Sequence, residues 1–166
     1  MTPAPDADGP PITTSASWVA ALRWGFDTAM AQGARRITVV DAGFAGWPLG
    51  DETLLAAFTG WLRLPMRRLV LLAASYDTVP REHPRFNTWR GPWAHAIEAW
   101  QAPTEMSANL PSLLLGDDGT VVHLIDAEHW HGRAQVNRRA AHIWQQKFDV
   151  VLQRSERAFP VNTLGL

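Results

Sequence analysis

From Ser17 onward, Trp18, Leu22, Phe26 and Met30 recur every four residues, the spacing that puts apolar side chains on one face of a helix. Ser15 or Ser17 can cap its start and Gly33 stops it. Then the period changes. Arg36-Ile37-Thr38-Val39-Val40 is a short β-branched run ending at Asp41 and Gly43, which predicts a buried strand. Phe44 to Gly50, with Gly46 and Pro48, reads as a loop. Asp51 opens a second helix through Leu54, Leu55, Phe58, Trp61 and Leu62, and Pro65 closes it. Arg68 to Ala73 is a second continuous apolar strand, as expected where both faces of a sheet are covered.

The second half is less regular. Ser75 to His83 reads as a polar loop. Phe86, Trp89, Trp93, Ile97 and Trp100 keep helical spacing from Pro84 onward, with Gly91-Pro92 kinking or splitting that helix. Ser112–Leu115, the turn Gly116-Asp117-Asp118-Gly119, and Thr120–Ile125 form the strongest hairpin signal. A short strand is predicted through Glu128 to His131, and a last helix from Ala134 to Arg157. The order α-β-α-β-α-β-β-α predicts an α/β fold, a mixed parallel and antiparallel sheet flanked by helices. Residues 1–14 hold four prolines and no apolar period, so they predict a disordered or loosely docked arm ahead of a single α/β domain over 15–166. The apolar tail from Phe159 to Leu166 is expected to lie against the body or a partner.

Composition narrows the function classes. The 166 residues are 46 % hydrophobic and 19 % charged, which is globular. A net charge of −1 and a pI near 6.6 imply no global affinity for nucleic acid or anionic membrane. The absence of cysteine excludes disulfides, thiolate nucleophiles and Cys-ligated metals. Met1 to Pro11 has neither a basic nor an apolar signal-peptide region, and no apolar stretch is long enough to span a bilayer. The expected location is cytoplasmic. Neither a GxxxxGK[ST] loop nor a GxGxxG turn occurs, so the usual nucleotide-binding motifs are missing. Nine Trp, and one lysine among 15 basic residues, are the two marked biases.

Particular residues carry a resemblance. The strand Ile37-Thr38-Val39-Val40-Asp41 and its following helix, the strand Leu69-Val70-Leu71-Leu72, the run Ser112-Leu113-Leu114-Leu115-Gly116-Asp117-Asp118-Gly119, and the helix ending Phe148 to Ser155 together resemble the phospholipase D-like half-domain over about residues 34–157. The chain is similar to short, uncharacterised bacterial relatives of that superfamily rather than to its working enzymes. In those enzymes a His-x-Lys pair followed by Asp supplies the nucleophile and the phosphate ligand. Here His123 is followed two residues on by Ile125 and His129 by His131, and the lone lysine, Lys147, falls in the last helix; His131-Gly132-Arg133 is the nearest basic match, and Arg138 stands where Asp would. The resemblance implies a scaffold without that catalysis.

Three candidate sites remain. If the segment is extended, His129 and His131 project from one face as a metal site on a strand requires, with Asp126, Glu128 or His123 as a further ligand; the alternative is two surface histidines beside Trp130. Arg81, His83, Arg85 and Arg90, interleaved with Phe86, Trp89 and Trp93, could hold an anion or stacked bases, or be the solvated face of a core stripe. Asp41, Ser75, Tyr76, Asp77 and His83 gather at the carboxyl ends of the parallel strands, where open α/β sheets bind ligands, but no Gly-x-Ser-x-Gly elbow surrounds Ser75. Arg35-Arg36, Arg67-Arg68 and Arg138-Arg139 read as solubility charges or ion-pair partners. The expectation is a non-catalytic binding or assembly module without cofactor, keeping a vestigial anion pocket and meeting a protein partner or itself through exposed Trp. The alternatives are a metal-dependent or Ser/His hydrolase and, third, single-stranded nucleic-acid binding. Neither membrane nor nucleic acid is the expected partner.

Overall fold

Thr14 starts the first helix through a reciprocal cap. Its hydroxyl accepts from the Ser17 backbone N–H (3.0 Å), while Ser17 Oγ accepts from the Thr14 N–H (2.8 Å), satisfying two donors that a helix start leaves open. Ser17 is therefore the third residue of the helix rather than its cap. In the computed structural model, which describes residues 6–161, this is α1, Ser15–Ala31. It is followed by β2 (Arg36–Asp41), α2 (Glu52–Leu62) and β3 (Arg68–Ala73), after a two-residue β1 at Ala7–Asp8. The second half holds α3 (Val79–Glu82), α4 (Pro84–Trp89), a 3-10 turn at Gly91–Trp93, β4 (Ile97–Gln101) and α5 (Thr104–Ser107). It ends with β5 (Ser112–Gly116), β6 (Thr120–Asp126), β7 (His131–Val136), α6 (Arg138–Gln153) and β8 (Glu156–Arg157).

All eight strands join one sheet in the order β1-β7-β6-β5-β2-β3-β4-β8. β2, β3 and β4 are parallel, and β5, β6 and β7 run antiparallel beside them. This is the expected mixed α/β sheet. Alternate side chains of each strand serve opposite faces. Ile37, Val39, Leu69, Leu71 and Leu114 enter a large core with α1, α2 and Phe86 of α4. Val40, Leu72, Leu113 and Leu115 meet Ala141 and Phe148 of α6 in a smaller one.

Three expectations change. The stripe from Pro84 is not one helix, because the chain turns at Gly91-Pro92 and Ile97–Gln101 becomes the parallel neighbour of β3. Ile97 joins the large core and Trp100 the small one, which a strand does naturally with residues three apart. The strand expected at Glu128–His131 starts at His131 and runs to Val136, displacing the start of the last helix, which Asn137 caps by accepting from the Ala140 N–H (3.0 Å). The exposed Trp surface is absent too: each Trp is buried or half-buried, with Trp18, Trp47 and Trp61 at most 4 % exposed.

The arm is docked from Ala7 onward. Ala7 and Asp8 pair with Val136 and Gln135, and Ile12 is 3 % exposed beside Gly132. A Cβ at Gly9 would sit 2.7 Å from the Trp24 ring, so glycine lets the arm cross that ring. Residues 1–5, and residues 162–166 of the expected apolar tail, lie outside the described residues.

Candidate functional site

The carboxyl ends of β2 and β3 are where the topology directs attention first. Asp41, the last residue of β2, is 8 % exposed. Its carboxylate accepts from the backbone N–H groups of Gly43 (3.1 Å) and Phe44 (2.6 Å) and from the Ser112 hydroxyl. These bonds hold the turn after β2, where Phe44 adopts a left-handed φ of 63°, and tie it to the start of β5. His83 follows α3 and is 6 % exposed; its Nε2 donates to the Phe44 carbonyl at 2.8 Å. A carbonyl only accepts, so that bond places the proton on Nε2. Ser75 Oγ accepts from the Asp77 N–H at 3.1 Å. Among the described residues no hydrogen bond links Ser75, His83 and Asp41, and each is engaged with backbone or with Ser112.

The same edge is covered by the end of the described chain. β8 pairs with β4, and Ala158 N–H donates to Ala99 O at 2.9 Å. The ring of Phe159 then stacks on Tyr76, centroids 5.0 Å apart and planes 7° from parallel. The Arg90 guanidinium carbon lies 3.5 Å from the centroid of the Phe159 ring, and the group donates to the carbonyls of Phe159 (2.8 Å) and Pro160 (3.2 Å). Tyr76 OH donates to Trp100 O at 2.8 Å. Burial pushes this phenol far above its ordinary range, outweighing the Trp100 hydrogen bond and the Arg90 charge; Tyr76 is a neutral donor. Burial also lowers the Arg90 guanidinium, opposed by Tyr76.

The residues expected to gather an anion have separate engagements. Arg90 holds the tail, Arg85 pairs with Glu52 at 3.4 Å on the surface, His83 is inside, and Arg81 is exposed. Beside the tail a cavity of about 390 Å³ is lined by Arg90, Ile97, Ala99, Arg157, Phe159 and Val161.

His129 and His131 have ring centroids 6.5 Å apart, but the segment is not extended. Residues 127–130 form a turn, with Trp130 at φ 55°. His129 Nδ1 lies 2.8 Å from Asp126 Oδ2, and that hydrogen bond holds the exposed Asp126 carboxyl below the usual carboxylate range. Among the described residues no group of three His, Asp or Glu is placed to hold a metal ion. No helix among them is long and apolar enough to cross a membrane.

Phe159 lies against the body, as its apolar tail leads one to expect, with Tyr76 as the ring it meets. The sequence signal missed Ser112 as a partner of Asp41, because the two stand far apart along the chain. The basic pairs at the opposite, amino ends of the strands behave partly as expected: Arg36 meets Asp149 at 3.5 Å and Arg68 meets Glu98 at 2.7 Å.

No family model matches the chain, and no curated protein sequence matches it. Its fold is similar to solved structures. One is the phospholipase D family member NUC from Salmonella typhimurium, with a TM-score of 0.60 and 9 % identity over 94 % of this chain and 100 % of that one. Another is TrmBL2, an archaeal chromatin protein whose structure shows a novel mode of DNA binding. There the TM-score is 0.58 and the identity 13 %, over 92 % of this chain. This chain spans about half of TrmBL2, 54 % of its length. At these identities the likeness establishes a phospholipase D-like fold, and the fold alone.

Proposed function

We propose that this chain is a non-catalytic binding module on a phospholipase D-like scaffold. One observation carries the reading: at the carboxyl end of the parallel strands, the polar side chains that could do chemistry are committed to the protein itself. A general base needs a lone pair facing substrate, and a nucleophile needs a base within hydrogen-bond reach. Asp41 spends its oxygens on two backbone donors and Ser112, His83 directs its Nε2 proton to Phe44 O, and Tyr76 is sealed beneath Phe159. Such bonds hold a loop in place. The metal-hydrolase alternative finds little support in a turn where His129 already pairs with Asp126.

The test is an assay with bis(p-nitrophenyl) phosphate, with and without zinc or manganese, on the wild-type chain and on Asp41→Asn and His83→Ala. The expected result is no turnover above buffer. Asp41→Asn is expected to lower stability by about 1.5–3 kcal/mol, the worth of hydrogen bonds to a charged group, measured by urea unfolding. Turnover that disappears in either variant would overturn the proposal.

A further inference from the structure

The amino ends of the parallel strands gather arginines. A cavity of about 530 Å³ there is lined by Arg35, Arg36, Arg67, Arg68 and His95, with Leu64 and Met66 at its side. Arg36 pairs with Arg68 at the start of the parallel β2 and β3, and Arg35 and Arg67 immediately precede them, so strand pairing brings two arginines from each strand start to one end of the sheet, on alternating faces. Two of them are neutralised, Arg36 by Asp149 and Arg68 by Glu98. Among the described residues the side chains of Arg35 and Arg67 form no ion pair; the Asp117 carboxylate accepts from the Arg35 backbone N–H at 2.9 Å, and the Arg67 guanidinium donates to the Pro65 carbonyl at 3.0 Å.

Helix dipoles account for part of this. α1 and α2 both end near the strand starts, and the negative ends of helices favour cations. That does not explain the buried donors. The Nε groups of Arg36 and Arg67 are both buried without a hydrogen-bond acceptor, and each such group costs about 1–3 kcal/mol. Nor does it explain Met66, an apolar residue that is 82 % exposed. Leu64 beside it is 48 % exposed.

We propose that this cavity binds a compact organic phosphate of nucleotide size. The phosphates lie against Arg35 and Arg67, where guanidinium forks match phosphate oxygens, and the apolar portion lies against Leu64 and Met66. The volume is in the range of small-molecule sites. The site lies at the opposite end of the sheet from Asp41 and His83. It gives a ligand class to the binding module proposed above and rests on that reading.

Calorimetric titration of the wild-type chain with ATP, inorganic tripolyphosphate and a twelve-residue oligothymidylate tests it. ATP is expected to bind more tightly than tripolyphosphate and without being hydrolysed. An Arg35→Gln/Arg67→Gln double variant is expected to weaken ATP by tenfold or more (~1.4 kcal/mol), whereas Arg81→Gln leaves it unchanged. Met66→Glu, at a site too exposed to disturb the core, is expected to weaken ATP by a similar factor and keeps the test valid if the double variant fails to fold. No binding of ATP at millimolar concentration, or ATP binding untouched by these variants, would overturn the proposal. So would oligothymidylate binding that ATP cannot compete away. Hydrolysis of bound ATP would instead overturn the non-catalytic reading while leaving the site in place.

Discussion

Arg90 illustrates how a residue's chemistry depends on what the fold sets beside it. In sequence it is one of several arginines among aromatics, the composition of an anion grip. In the fold it is 6 % exposed and holds the carbonyl of a residue 69 positions away, with its charge over that residue's ring. No local pattern encodes a contact of that span, so Arg90 could not be told from Arg81 or Arg85 before the chain was folded. His123 is a second case. Its ring meets Trp144 edge to face at 4.9 Å; burial lowers its pKa from the ordinary 6.5, and Lys147 lowers it further. A histidine depressed in the folded state binds fewer protons there than when unfolded. Its effect on stability is therefore nil above the unfolded value and becomes a penalty as pH falls below about 6.5. The melting temperature is expected to drop between pH 7 and pH 5, with a shallower slope in His123→Gln. An unchanged slope in that variant would show that other groups set the acid response.

At the scale of elements, what could be read was whatever buries a continuous face. α1, α2, β2, β3 and the β5–β6 hairpin each write a period of 3.6 or 2, or an unbroken apolar run, into the chain. β4 misled because Trp93, Ile97 and Trp100 fit a helical period as well as a strand that serves both cores. β1 and β8 have two residues each, too few for any period. Packing between elements is legible only in the fold, and two helical glycines show its effect. At Gly25 of α1 a Cβ would lie 2.6 Å from Val122 Cγ2 and 3.4 Å from Leu114, whereas at Gly60 of α2 it would meet nothing within 4 Å. Alanine favours a helix by about 1 kcal/mol over glycine, and overpacking a core costs about 1–3 kcal/mol. Gly25→Ala is therefore expected to destabilise by about 1 kcal/mol and Gly60→Ala to stabilise by up to about 1 kcal/mol in urea unfolding. Equal signs would mean that α1 does not approach the sheet this closely.

For the whole molecule, alternation followed by a hairpin sufficed to predict a mixed sheet with helices on both faces. Which polar groups at either end of that sheet are committed to the protein itself could not be predicted. The usual rule directs ligands to the carboxyl ends, but there the tail, Phe159 and Arg90 cover Tyr76, and the loop after β2 consumes Asp41 and His83. The pairs Arg35-Arg36 and Arg67-Arg68 precede strands, so the sequence already places both at the amino ends of a parallel sheet; they read as solubility charges or ion-pair partners because that rule sends ligands to the other end. The central claim is that this scaffold binds at its amino end and leaves its carboxyl end as structure. A heteronuclear NMR titration of the labelled chain with ATP tests that division most directly. The account predicts amide shifts concentrated at Arg35, Arg36, Met66, Arg67, Arg68 and His95, with Gly43, Phe44, Ser75, Tyr76 and His83 unmoved. Shifts confined to the second group would contradict it.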